Sequence, residues 1–172
     1  MEYEFRKATF KDLTAIWEIL QQAILRRKEE GSNQWQDGYP NVDVVQKDMD
    51  RGAGFVLIDG EIIVGYCAVL INDEPEYAKI QGEWLTNDDF VVIHRVAIDG
   101  KYLGKGLAKR IMTFVEEYAK DNYIYSVKAD TNFDNIAMMK IFDKLGYTYC
   151  GEVFFRNSPR RAYEKVLTAT LK

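Results

Sequence analysis

One histidine, two cysteines and three prolines in 172 residues remove several chemistries before any motif is sought. A structural zinc site needs clustered His and Cys ligands, and His94, Cys67 and Cys150 stand far apart in the chain. Each cysteine lies in an apolar, strand-like context, which reads as a buried reduced thiol rather than half of a disulfide. No apolar run reaches the ~18 residues of a membrane span, and no basic segment followed by an apolar stretch opens the chain. A cytoplasmic protein that binds no membrane is therefore expected. Basic charge is also short: a net charge of −4 and a pI near 5.2 argue against a nucleic-acid partner. The phosphate loop G-x-x-x-x-G-K-[ST] is missing, and there is no internal repeat, low-complexity segment or interdomain linker.

With 47% hydrophobic and 29% charged residues, the composition fits one globular domain spanning 1–172. Residues 3–8 alternate as a strand. Thr9 and Asp12 then form a capping-box pattern before a helix whose apolar stripe is Leu13, Ile16, Leu20, Ala23 and Ile24, ended by Gly31. The loop 31–41 carries Trp35 and Tyr39 and leads to a short helix near 42–51. Residues 54–70 read as two strands around a turn at Asp59-Gly60. The segment 72–89 holds six carboxylates against one lysine, either a solvated loop or a lip of negative potential that attracts a cation. Residues 90–98 read as a strand with Val92, His94, Val96 and Ile98 on one face. After a turn at 99–103 a helix is expected from Gly104 to Asp121, then a strand at 123–130 and a helix from Phe133 to Leu145 stopped by Gly146. Two last strands flank a turn at Asn157 to Pro159. The order β-α-α-β-β-β-α-β-α-β-β is mixed α/β.

The stretch HRVAIDGKYLGKGLAKR joins a strand to a helix through two glycines, Gly104 and Gly106, with Lys101 and Lys105 beside them. Free N–H groups at a helix start and glycines without a Cβ suit an anion such as a phosphate. Taken alone, the pair also fits a tight turn that binds nothing.

This stretch and NIAMMKIFDKLGY together resemble the two signature segments of the GNAT superfamily of N-acetyltransferases. The first follows Arg or Gln, two residues, Gly, one residue, Gly or Ala; the second resembles N-x-x-A-x-x-L-Y-E-K-L-G-F. The resemblance covers nearly the whole chain. It implies a single-domain GNAT fold, with a central mixed, mostly antiparallel sheet and about four flanking helices, and acetyl-CoA as cofactor. It further implies that the backbone of Val96, Ala97 and Ile98 pairs with the pantetheine arm. The amides of Lys101, Tyr102, Leu103, Gly104, Lys105, Gly106, Leu107 and Ala108 would cradle the pyrophosphate, with Asn132, Asn135, Met138, Phe142 and Lys144 supplying the second segment's contacts.

Three positions depart from the family pattern. Lys101 replaces its Arg or Gln, and Met138 its Ala. Phe142 replaces the tyrosine that often protonates the departing thiolate, a loss that a thiol pKa of ~8.5 makes tolerable.

His94 is the candidate catalytic residue. An alkylamine with a pKa of ~10.4 is neutral in only about one molecule in a thousand at pH 7.4, whereas an α-amine near 7.7 to 8.0 is neutral at roughly the 30% level. A base therefore matters most for alkylamines, and His94 either serves as that base or is a core histidine satisfied by a neighbour. Trp35, Tyr39, Glu83 and Trp84 are the candidate acceptor contacts. The expected activity is acetyl-CoA-dependent transfer to a primary amine, small-molecule or peptide amino-terminal, by direct attack; the alternative is an acyl-CoA-binding sensor with weak or no catalysis. Exposed C-terminal strand edges make a homodimer an expectation.

Overall fold

The computed structural model describes residues 2–169. The strands are β1 (Tyr3–Lys7), β2 (Gly54–Asp59), β3 (Ile62–Ile71), β4 (Gln81–Gly82), β5 (Val91–Ile98), β6 (Ser126–Thr131), β7 (Thr148–Phe155) and β8 (Ser158–Val166). The helices are α1 (Leu13–Glu29), α2 (Val42–Asp50), α3 (Leu107–Asp121) and α4 (Ile136–Leu145). The fold is mixed α/β with mostly antiparallel strand pairing. Contacts divide it into two compact units, one up to Val69 with Arg95–Met112 and one of Leu70–His94 with Thr113 onward.

In the first unit β1, β2 and β3 form an antiparallel meander, from Lys7↔Phe55 to Tyr3↔Asp59 and from Gly54↔Ala68 to Asp59↔Ile62. The hairpin loop is therefore Gly60-Glu61, one residue beyond the expected Asp59-Gly60. Gly60, at φ 64, takes the first loop position, where a tight hairpin requires a positive φ. Helix α1 follows a 3₁₀ turn at Phe10–Asp12, and the expected capping box is present: Asp12 Oδ2 accepts the Thr9 N–H at 2.8 Å and also pairs with Arg6. The helix buries Ile16, Ile19, Leu20 and Ala23 against Val45, Val56, Ile58, Tyr66 and Ala97. Full burial of each large aliphatic side chain contributes about 1.5–3 kcal/mol. Ile24 of the predicted stripe is only half-buried, and Ile19 takes its place.

In the second unit the first residues of β5 pair in parallel with β6 (Val91↔Val127 to Ile93↔Ala129), β6 pairs antiparallel with β8, β8 with β7, and β7 with the short β4. The connection from β5 to β6 runs through α3, the helical crossover a parallel pair needs. Strand β6 begins at Ser126, later than expected, because α3 closes through a left-handed Tyr123 (φ 58), with the Ile124 N–H on the Ala119 carbonyl. The last hairpin turns at Arg156-Asn157 (φ 48 and 61), and Pro159 lies inside β8, again a shift from the expected turn. Gly146, at φ 83, caps α4 as predicted. Both cysteines are free and buried.

Candidate active site

The expected alternation of β5 breaks at one residue. Arg95 has φ 56, a left-handed conformation that costs a non-glycine residue about 1–3 kcal/mol. His94 and Val96 therefore do not share a face by simple alternation, as had been expected. The parallel register with β6 ends just before the break, at Ile93↔Ala129.

In the second unit, His94 is the centre of a cluster. Its Nε2 lies 2.8 Å from Glu74 Oε2, and its Nδ1 lies 3.8 Å from Asp130 Oδ2, beyond hydrogen-bond reach. An ionised carboxylate only accepts, so Nε2 carries the ring hydrogen and the lone pair of the neutral imidazole sits on Nδ1. The side chains of His94, Glu74 and Asp130 are 14%, 12% and 10% exposed. Asp130 accepts the Tyr77 hydroxyl at 2.6 Å. Burial pushes the Asp130 carboxyl above its usual range, opposed by His94, the Tyr77 hydroxyl and Arg160. The Tyr77 phenol is driven well up by burial and by the Asp130 charge, so it is a donor to Asp130 and no acid. Rings of Tyr77 and Phe155 stand 6.2 and 6.3 Å from the imidazole.

In the first unit, Lys101 and Tyr102 belong to a 3₁₀ turn, Gly100–Tyr102, and α3 starts only at Leu107. The glycines thus precede the helix instead of opening it. Gly104 and Gly106 stand at φ 78 and 74, and a Cβ on either would meet nothing within 4 Å. What glycine supplies here is the backbone angle, which an L side chain adopts only under strain. Residues 103–106 are exposed, and the Gly106 carbonyl accepts the Arg110 N–H at 3.1 Å, which ties the end of the glycine loop to the first turn of α3. Lys105 Nζ lies 5.2 Å from the Tyr102 ring centroid.

Arg95 itself points into the first unit. Its Nε and Nη2 donate to the two oxygens of Asp48 at 2.9 and 2.5 Å, and its Nη1 donates to the Tyr39 hydroxyl at 2.5 Å. Asp48, fully buried, also accepts the Tyr66 hydroxyl at 2.6 Å.

Of the other expected residues, Val96 is half-buried, while Ala97 packs in the α1 core and the Ile98 carbonyl accepts Arg26 Nη2 at 2.9 Å. Asn132 bridges Asp134 and Arg160, and Asn135 caps α4, its Oδ1 accepting the Met138 N–H at 3.2 Å. Phe142 is wholly buried, its ring 5.4 Å from Tyr147 and 4.6 Å from Tyr163, so its side chain is core and presents no face to a ligand. Lys144 is exposed.

Of the four acceptor candidates, two lie in each unit. Trp35 packs on the first unit's core and Tyr39 is bonded to Arg95. In the second unit Glu83 is exposed, and Trp84 donates to the Tyr77 carbonyl and stacks over Lys128, whose Nζ is 4.5 Å from its ring centroid. Glu74, Asp130 and Tyr77 were not foreseen. Glu74 had one local signal, a carboxylate directly before Pro75, which opens a 3₁₀ turn that Glu74 caps.

The family model described as the acetyltransferase (GNAT) family matches residues 14–147. The chain belongs to the acetyltransferase (GNAT) family, N-acetyltransferases that use acetyl-CoA. An acetyltransferase structure of this family from Streptococcus agalactiae is 32% identical, with a TM-score of 0.90 and 96% coverage of both chains. A structure from Salmonella typhimurium, solved with its cofactor acetyl-CoA, shares the fold at a TM-score of 0.70 and 16% identity, covering 100% of this chain and 98% of that one. A shorter match, 35% identical over 66 residues, is to N-acetylaspartate synthetase of Xenopus tropicalis; it covers 38% of this chain and 24% of that protein. The exposed glycine loop with its open backbone and flanking lysines fits the diphosphate of the family's cofactor. Among the described residues no helix is long and apolar enough to cross a membrane, and no three His, Cys, Asp or Glu are placed to hold a metal ion.

Proposed function

We propose that the chain is a single-domain enzyme that transfers an acetyl group from acetyl-CoA to a primary amine, of a small molecule or a peptide amino terminus, with His94 as general base. The observation that carries this reading is the cluster in the second unit: an imidazole fixed by Glu74 through Nε2, with its lone pair at Nδ1 directed to a region where Asp130 adds negative charge. Acetyl-CoA, when bound, would supply a thioester carbonyl that an uncharged amine can attack directly, the C–S bond breaking and CoA leaving as a thiolate, which a thiol pKa of ~8.5 makes tolerable. The backbone of residues 101–108 would hold the diphosphate, Val96, Ala97 and Ile98 the pantetheine arm, and Asn132, Asn135, Met138 and Lys144 the rest. The Val96 N–H is the donor we assign to the charge developing on the carbonyl oxygen.

The amine arrives as an ammonium. Glu74 and Asp130 attract it more directly than the exposed Glu83, and His94 Nδ1 takes its proton, leaving an imidazolium between two carboxylates. Neither cysteine is suited to a covalent step, since burial pushes both thiols up. Free, buried thiols also accord with a cytosolic setting.

The second reading, an acyl-CoA sensor with little turnover, rests on Phe142, which offers no acid and no exposed face. Thermal unfolding with acetyl-CoA, CoA, NADH and ATP at about 1 mM, followed by an amine panel scored by CoA release, separates the two. A ligand at 100 times its Kd adds ~2.7 kcal/mol. The enzyme reading expects stabilisation by acetyl-CoA and turnover with at least one alkylamine. Stabilisation without turnover across the panel selects the sensor, and no stabilisation by either CoA species contradicts both.

A further inference from the structure

A left-handed arginine inside a strand has no local cause: it is neither glycine nor one of the short polar residues that visit this region readily. Such a backbone persists when surrounding structure over-determines it, and here the surroundings are explicit. The Arg95 guanidinium meets Asp48 from α2 as a bidentate pair and Tyr39 from the loop 31–41, and Tyr66 from β3 fixes Asp48 in turn. The Arg95 side chain is 7% exposed and that of Asp48 0%. The planar fork is spent inside the protein, which argues against a role in binding an acidic substrate. What it does hold is the backbone bend directly after His94 and directly before Val96. If residue 95 relaxed to the extended region, the side chains and N–H groups that follow would exchange faces, because a strand repeats every two residues.

We propose that Asp48, Tyr66 and Tyr39 are positioning residues that act through Arg95: they clamp β5 in its bent form and so set the direction of the backbone from Val96 to Ile98 for acetyl transfer. The consequence for transfer rests on the function proposed above; the clamp itself does not.

The test compares two double variants, Asp48→Asn with Arg95→Gly and Asp48→Asn with Arg95→Ala. Both remove the ion pair without leaving a buried charge unpaired, and they differ in whether residue 95 accepts a positive φ without strain. Turnover is measured well below both melting midpoints. The clamp predicts that the Ala double variant loses at least 30-fold in kcat and that the Gly double variant keeps at least tenfold more activity than the Ala one. Equal kcat in the two overturns the proposal. Hydrogen exchange of a peptide covering residues 94–98 is the second readout, applied also to Tyr66→Phe, which removes a single hydrogen bond and folds even if the double variants do not. Exchange there should quicken at least fivefold in Tyr66→Phe while β1 and β2 are unchanged. Unaltered exchange at 94–98 overturns the clamp even if no acceptor amine has been found, whereas wild-type protein that binds acetyl-CoA yet acetylates nothing contradicts the function and leaves exchange to decide the clamp.

Discussion

His94 and Arg95 are consecutive residues of one strand, yet their surroundings are built on opposite principles. Around Arg95 the donors and acceptors are matched: two guanidinium nitrogens on one carboxylate, a third on a phenol, and a second phenol on that carboxylate. Around His94 the matching is incomplete, with one nitrogen bonded to Glu74 and the other 3.8 Å from Asp130. A satisfied buried network fixes geometry; a group with an open lone pair and nearby charge is available for proton transfer. The strand thus places a fully bonded residue beside the proposed base, and each can be perturbed without removing the other.

The largest effect expected is from His94→Ala. Loss of a general base lowers turnover by roughly 10²-fold or more, while acetyl-CoA binding measured by calorimetry stays within about threefold of wild type because the glycine loop is untouched. Next is Glu74→Gln, which keeps an acceptor for Nε2 but removes the charge that steadies the imidazolium; a drop of about tenfold in kcat is expected, in line with the strength of charge-assisted hydrogen bonds. If Glu74→Gln is silent while His94→Ala is not, the pair is a packing contact and the comparison loses one side.

Gly106→Ala probes the proposed cofactor loop. Forcing an L side chain to a φ of 74 costs about 1 kcal/mol, so acetyl-CoA should bind roughly fivefold more weakly, with kcat at saturation little changed. The smallest effect is Asp12→Asn. Hydrogen bonding with Arg6 holds the Asp12 carboxyl below its ordinary value of 3.8. A lowered folded pKa means that the stabilisation is complete above that value and is lost as pH falls through the folded one. The half-exposed Arg6 limits it to about 1 kcal/mol, a fall of about 2–4 °C in Tm. The gap between wild type and variant should be full at pH 7 and shrink below about pH 3.8.

Much of this molecule is legible along the chain, and what is not has specific causes. The element order apart from the short β4, the Gly146 stop and the Thr9–Asp12 cap follow from periodicity and capping chemistry, all of them local. Several boundaries moved at residues with a positive φ: the first hairpin at Gly60, the start of α3 past Gly104 and Gly106, the start of β6 past Tyr123 and the last hairpin at Arg156 and Asn157, while Arg95 breaks β5 from within. Side-chain type gives little warning of a left-handed tyrosine or arginine. The network at Arg95 joins residues 47 and 56 positions apart, and its only trace in the sequence is a carboxylate at Asp48 three residues from the buried Val45 on the same face of α2. The partners of His94 were hidden differently, because Glu74 is one of six carboxylates in a run that also fits a solvated loop, and Asp130 is the last residue of the strand expected over 123–130.

The central claim is that His94 takes a proton from the acceptor, and one ratio tests it. The rates of wild type and His94→Ala should be compared at pH 7.4, under saturating acetyl-CoA, with an alkylamine of pKa ~10.4 and with a peptide α-amine of pKa ~7.7 to 8.0, about 30% of which is already neutral. If His94 is the base, the penalty of the substitution is at least tenfold smaller for the α-amine than for the alkylamine. The same penalty for both would contradict the account and leave His94 with a structural role.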